Sequence, residues 1–245
     1  MKSFKLFFES QFYNDTLHPS FWDAAKNFDQ DLREKLLTIA QDVSEGAGVK
    51  DSLIDDIQLT GSMANYNYTD YSDLDVHILL DFAKINHDED LVKKALDGKR
   101  FVWNLRHDIK MGGHDVEVYF QDTEEPHKAS GLYSILNNEW IREPEHNEPE
   151  VDARDVSAKA DRLKGEIADL EVALSRTDEE GDLDDLAEAA DALRAKVAKM
   201  RKDSLEANGE FGIGNLAFKE LRNSEYMGRL IDVANAIYDK KFTSE

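Results

Sequence analysis

No cysteine occurs among the 245 residues. Disulfides, a thiol nucleophile and thiolate metal sites are thereby excluded, and a reducing compartment is allowed. Basic charge is scarce as well: Lys+Arg number 30 against Asp+Glu 52, a formal net charge of −22. Affinity for nucleic acid comes largely from basic side chains that displace counterions, so a nonspecific DNA or RNA binder is excluded. Anionic membranes repel the same surface. No apolar run approaches the roughly 18 residues of a spanning helix. Near the N-terminus the cluster Leu6-Phe7-Phe8 is cut short by Glu9, so the opening reads as no secretory signal. With 41% hydrophobic residues the chain can still build a core.

What is present is unevenly spread. Residues 1–150 hold 15 Lys+Arg and 30 Asp+Glu, net −15, and residues 151–245 hold 15 and 22, net −7, which returns the totals of 30 and 52. All three Trp and all four Pro precede residue 150, whereas Ala, Leu and charge dominate after it. The stretch Arg142 to Glu150 has two prolines and no core-forming residue, which reads as a linker. The expected division is therefore 1–145 and 146–245.

The first region reads as mixed α/β. Phe4, Phe7 and Phe8 share one face if helical, and Leu32, Leu36, Leu37 and Ile39 argue a helix from Asp29 to Ser44. Ile54 to Thr60 alternates partly and ends at Gly61. Leu74, Val76, Ile78 and Leu80 alternate against Asp73, Asp75 and His77, which predicts a strand with one buried face. Leu91 to Ile109 reads as a helix, and Val116, Val118 and Phe120 alternate against Asp115, Glu117 and Tyr119 as a second such strand. Tyr133 to Ile141 predicts a hairpin about Asn137-Asn138.

The second region reads as all helix. Leu163, Ile167, Leu170 and Leu174, then Leu183, Leu186, Ala190, Leu193, Val197 and Met200, form two seams with coiled-coil spacing. The polar Asp178-Glu179-Glu180-Gly181 between them predicts an antiparallel hairpin over about 153–206, serving as hairpin core or as a homodimer contact. A third helix is expected over about 214–240, packing back on the first region.

The chemistry lies in Gly61-Ser62, ten residues, then Asp73-Leu74-Asp75-Val76. Acid-x-acid alone arises roughly ten times by chance in so acidic a chain, so it counts only in context. The context is a strand feeding a Gly-Ser turn, a strand opening with two aspartates on its polar face, and a later strand offering Glu117. Residues i and i+2 of a strand project the same way, so Asp73 and Asp75 can hold metals on adjacent sites. Without a cation two such carboxylates repel. Mg²⁺ takes one or two carboxylates plus substrate phosphates. Glu117 would complete the metal nearer the attacking hydroxyl and act as its base, with Asp115 a competing third carboxylate. Gly61 allows close backbone approach to a phosphate, and the Ser62 hydroxyl and amide can bind its oxygens at a helix start.

Other side chains have two readings. His77 either touches a phosphate or base or is a hydrogen-bonded structural histidine. Tyr119 either stacks on a nucleobase or packs. Tyr66, Tyr68 and Tyr71 populate the loop between the motif halves, beside passing substrate or as surface turn residues. Lys219 and Arg222, one helical turn apart, either grip triphosphate or form a solvated face with Glu220. His107 and His114 show no ligand spacing and receive no role.

Gly61-Ser62, Asp73-Leu74-Asp75-Val76 and Val116-Glu117-Val118 together resemble the DNA polymerase beta-type nucleotidyltransferase superfamily, with Glu in place of the commoner third Asp. The resemblance implies a small mixed sheet backed by helices. It also implies two Mg²⁺ ions, or Mn²⁺, held by Asp73, Asp75 and Glu117 for nucleotidyl transfer from a nucleoside triphosphate such as ATP. More narrowly, the chain is similar to predicted nucleotidyltransferases of tailed phages. The shared residues are Leu17-His18-Pro19 with Trp22, Thr60 to Tyr66, Ser72 to His77, Gln121-Asp122 through Pro126-His127, Gly131 to Leu136 with Trp140, and Asn215 to Lys219 with Leu221-Arg222.

The expectation is an enzyme transferring a nucleoside monophosphate to an acceptor hydroxyl, the acceptor being a small molecule, a protein or an RNA end. It would act in the cytoplasm, that of the host if phage-encoded. Two alternatives stand beside it. One is a non-catalytic phage protein of this fold, virion-associated or binding a host factor, to which the opening Met1 to Glu9 lends a resemblance to phage proteins cleaved during head maturation. The other makes the helical hairpin an interaction module.

Overall fold

A computed structural model describes residues 13–127, 129–146, 151–177 and 180–243. They fall into two compact units, 13–146 and 151–243. The expected helical face of Phe4, Phe7 and Phe8 lies outside the described residues. Among the described residues no helix is long and apolar enough to cross a membrane.

The first unit is α/β, a mixed sheet flanked by helices. Its strands are β1 (Ile54–Thr60), β2 (Leu74–Leu80), β3 (Lys110–Met111), β4 (His114–Asp122), β5 (Leu132–Ser134) and β6 (Glu139–Arg142). They lie in the order β3-β4-β2-β1-β5-β6. The β2–β4 pair is parallel and the others are antiparallel. A parallel pair needs a crossover, here supplied by α2 (Phe82–Ile85) and α3 (Glu89–Arg106). The helix α3 stops at Arg106, short of the expected Ile109, where the His107 amide donates to the Trp103 carbonyl and the His107 ring stacks on Trp103 at 4.4 Å.

Helix α1 (Gln30–Ala47) follows from local signals. The Asp29 carboxylate accepts from the Leu32 amide at its start, and Gly48 takes the left-handed conformation at its end. Its buried face, Leu36, Ala40 and Val43, packs in one core with the apolar face of the sheet, Leu59, Val76, Ile78 and Val118. The segment before α1 closes that core with aromatic rings: Trp22 stacks on Trp140 at 4.5 Å, meets Tyr133 edge-on, and donates its indole N–H to the Met63 carbonyl. The β5–β6 hairpin turns through Ile135 to Asn138, with Asn138 at positive φ, and Arg33 of α1 donates to the Ile135 and Leu136 carbonyls.

One edge of the sheet is closed by a side chain. The short β3 reaches only the start of β4, and further along the Asn104 carboxamide of α3 both donates to the Val118 carbonyl and accepts from the Val118 amide. Unpaired edge groups are a template for wrong pairing, and Asn104 covers one such pair.

The second unit contains α4 (Ala153–Arg176), α5 (Glu180–Asn208), α6 (Ile213–Asn223) and α7 (Tyr226–Phe242). The expected third helix is two helices. At the break, Ser224 turns its hydroxyl back to the Glu220 carbonyl and Glu225 adopts a left-handed φ of 63°, which an α-helix cannot pass through. The hairpin seams are spent inside this unit: Leu163, Ile167, Leu170, Ala190, Leu193 and Val197 share a core with Leu221, Leu230, Val233 and Ile237 of α6 and α7.

Candidate active site

The polar face of the sheet is organised in rows set by strand register. Directly opposed residues on neighbouring strands project to the same face. Thr60 of β1 is opposite Asp75 of β2, and Asp75 is in register with Glu117 of β4. Two residues along, about 6.6 Å further down the strands, Ser134, Gln58, His77 and Tyr119 form a second row. The first row carries two carboxylates on adjacent parallel strands, whose backbones lie about 4.8 Å apart. Asp73 stands immediately before β2, half-buried, two residues from Asp75. Asp115, the competing third carboxylate, pairs instead with the Lys110 ammonium at the β3–β4 hairpin.

The turn after β1 is built around these acids. Gly61 has φ +72°, and a Cβ there would lie 2.1 Å from Asp75 Oδ2. No other residue combines that dihedral with that contact. Gly131, at the entry to β5, approaches the same turn from another side, since its Cβ would lie 1.7 Å from the Ala64 carbonyl oxygen. Ser62 opens not a full helix but a single 3-10 turn, Gly61–Ala64, and its hydroxyl donates to Ser72 Oγ at 2.9 Å. Ser72 Oγ also accepts the Thr69 amide, while the Ser72 carbonyl accepts from His114 Nδ1 at 2.8 Å. Ser72, the residue preceding Asp73, thus ties the Gly-Ser turn to the start of β2, and His114, given no role from spacing, holds that tie.

Glu117 is held in turn. The Tyr119 hydroxyl donates to Glu117 Oε2. The Tyr119 ring meets two groups, the Arg100 guanidinium at 4.4 Å from its centroid and the His77 ring at 5.1 Å. Burial, and then the bond to Glu117, push the phenol far above its ordinary pKa, so it is a donor at any physiological pH. His77 Nδ1 donates to Gln121 Oε1 at 2.6 Å, which is its structural role, and burial lowers its pKa so that the ring is neutral at pH 7. Gln58 Oε1 and Thr60 Oγ1 are buried on this face without a hydrogen-bond partner among the described residues, although Gln58 Nε2 donates to Asp56.

The loop tyrosines separate by burial. Tyr66 is only 3% exposed and belongs to the core, against both sequence readings; Tyr68 is half-buried; Tyr71, at 59%, is a surface residue. Lys219 and Arg222 are not on the sheet but on α6 of the helical unit, both half-buried, and Glu220 between them bonds Lys164 of α4 at 2.7 Å. A solvated face with Glu220 is therefore not what α6 forms there.

Sequence reasoning missed Ser72, His114, Arg100 and the row of Gln58 and Thr60. The alternation of Asp56, Gln58 and Thr60 against Ile57 and Leu59 was a legible signal for that last pair. Arg100 carried no signal, being one of 30 basic residues.

Among the described residues no group of three or more His, Asp or Glu side chains is gathered closely enough to hold a metal ion by itself. The sheet face is thus not a preformed protein cage for a cation. The donor set nonetheless fits Mg²⁺, which takes one or two carboxylates and completes its octahedron with water and phosphate oxygens. Asp75 and Glu117 supply such a pair in register, with Thr60 Oγ1 buried beside them and without a partner among the described residues.

No family model matches the chain, and no curated protein matches it. Among solved structures, the STING-associated CdnE c-di-GMP synthase from Capnocytophaga granulosa is similar over 88% of this chain and 82% of its own, at 13% identity and a TM-score of 0.21. At so low a score that likeness carries no argument.

Proposed function

We propose that the chain is a nucleotidyltransferase that moves a nucleoside monophosphate from a nucleoside triphosphate to an acceptor hydroxyl. The observation that supports this best is the register of Asp75 with Glu117, beside a Gly61 whose missing side chain leaves room for the Asp75 carboxylate. Asp73, Asp75 and Glu117 would hold divalent cations. Bound Mg²⁺ would supply charge neutralisation of the phosphates and a lower pKa for the acceptor hydroxyl.

The chain's own residues would do the rest. In the turn over Gly61–Ala64 the backbone, unscreened by a side chain at Gly61, would bring amide N–H groups against phosphate oxygens. The acceptor oxygen would form a bond to the α-phosphorus in line with the bond that breaks to the bridging oxygen, and pyrophosphate would leave. The acceptor's proton would pass to the Glu117 carboxylate, whose Oε2 also accepts the Tyr119 hydroxyl. The acid-rich sheet unit disfavours a long polyanion as acceptor, so a small molecule, a protein side chain or an RNA end held by few contacts fits best.

The test is incubation of the protein and Mg²⁺ with each α-labelled nucleoside triphosphate and a panel of acceptors, followed by location of the label. Pyrophosphate release that disappears in the Asp73→Asn, Asp75→Asn double variant supports the reading, and turnover unchanged in that variant overturns it. Calorimetry that detects no nucleotide binding with Mg²⁺ would favour a non-catalytic protein of the same fold.

A further inference from the structure

Tyr119 lies on the same strand as Glu117 and two residues beyond it, so both side chains leave the same face of β4. Adjacent same-face side chains usually run parallel and do not bond. Here the phenol hydroxyl donates to Glu117 Oε2, and the ring is held in place from two elements, by Arg100 of α3 at 4.4 Å and by His77 of β2 at 5.1 Å. Arg100 is itself fixed, its Nε donating to Asp97 at 3.0 Å one turn earlier in α3. His77 is fixed by Gln121. The phenol is thus the middle of a chain of contacts that ends on a carboxylate in register with Asp75.

We infer that Tyr119 is a positioning residue that holds the Glu117 carboxylate for a divalent cation shared with Asp75, with Arg100 clamping the phenol ring. The inference rests on the proposed reading of Asp75 and Glu117 as cation ligands. Its physical basis is general: groups bonded to a liganding carboxylate set its orientation, and their loss typically weakens metal binding about tenfold to a hundredfold. A Glu side chain left to itself has three rotatable torsions. Committing Oε2 to a fixed hydroxyl leaves Oε1 directed for the ion and removes that freedom before binding.

The test is Mn²⁺ binding to the full chain, read by the loss of the free-ion electron paramagnetic resonance signal, with and without α,β-methylene-ATP. Tyr119→Phe keeps the ring against Arg100 and His77 and removes only the hydroxyl. Its expected effect is a Kd for Mn²⁺ raised about tenfold or more, with the melting temperature in chelator unchanged. Arg100→Met, which removes the guanidinium and keeps the stem, should weaken Mn²⁺ in the same direction and gives a second reading if Tyr119→Phe does not fold. Wild-type affinity in these variants overturns the inference while leaving Glu117 a ligand. Glu117→Gln separates the two levels: if it too binds Mn²⁺ like wild type, or if the wild type binds none, the ligand assignment itself fails, and the inference with it.

Discussion

The Asp75 carboxylate fills the space that a side chain on Gly61 would need, with Oδ2 2.1 Å from the position of a Cβ there. The turn after β1 and the acid of β2 are therefore a single packed unit. Gly61→Ala adds both a clash and a strained positive φ. It should lower stability by about 1–3 kcal/mol and abolish nucleotide turnover by moving Asp75. Urea unfolding alongside a pyrophosphate-release assay would check both, and full activity in the variant would refute the coupling.

Cation binding to the native state alone should raise its melting temperature, by mass action. Addition of Mg²⁺ with a nucleoside triphosphate analogue should therefore stabilise the wild type, and chelator should reverse the effect. Asp75→Asn should erase the shift. An equal shift in variant and wild type, by scanning calorimetry, would exclude Asp75 as a ligand.

Removing the carboxamide of Asn104 leaves the amide and carbonyl of Val118 unpaired at the sheet edge. Asn104→Ala should cost about 1–3 kcal/mol and promote association through the opened edge of β4. Chemical unfolding and light scattering would measure the two effects, and a variant equal to wild type in both would refute the role of Asn104.

His18 packs against Phe21, Tyr68 and His114 in the sheet unit, with rings 4.8 to 4.9 Å apart. Burial and then the charge of His114 hold its pKa below 6.5, against an opposing pull from Asp70. The unfolded chain thus binds a proton here more readily than the folded one, so this contribution is complete above about pH 6.5 and is lost as pH falls through the lowered folded value. His18→Phe should reduce the slope of stability against pH below 6.5. Unfolding at a series of pH values would check this, and an unchanged slope would refute it.

Glu225 holds a left-handed φ of 63° between α6 and α7. A β-carbon is strained there by about 1–2 kcal/mol, against which glycine costs some unfolded-state entropy. Glu225→Gly should raise the stability of the chain by up to about 1 kcal/mol without changing its helix content, as thermal melts by circular dichroism would report. A destabilised variant would show that Glu225 makes contacts that outweigh the strain.

Much of this was legible because periodicity is a local property. Leu74, Val76, Ile78 and Leu80 alternate against Asp73, Asp75 and His77, and the strand they form runs from Leu74 to Leu80. Asp29, read as the start of α1, caps it with chemistry that needs no tertiary partner, whereas the end read at Ser44 lies at Ala47, before the left-handed Gly48. The failures have the opposite character. Leu216, Leu221, Leu230, Ile231 and Ile237 read as one helix, because Ser224 and Glu225 are neither Gly nor Pro and the break lies in a left-handed Glu. Tyr66 looked like a loop residue and is core, because burial of a loop depends on what packs over it.

By itself the sequence determined composition, the period of each strand and the start of α1 at Asp29. It also determined which residue types could meet a phosphate or a cation. Only the tertiary structure decided which of them meet. Register between β2 and β4 sets Glu117 beside Asp75, while the β3–β4 hairpin gives Asp115 to Lys110. Arg100 reaches Tyr119 from a helix nineteen residues earlier (119 − 100 = 19), and His114 reaches back to Ser72. The physical reason is range: propensity and period act within a few residues, whereas pairing between strands is settled by the packing of the whole sheet.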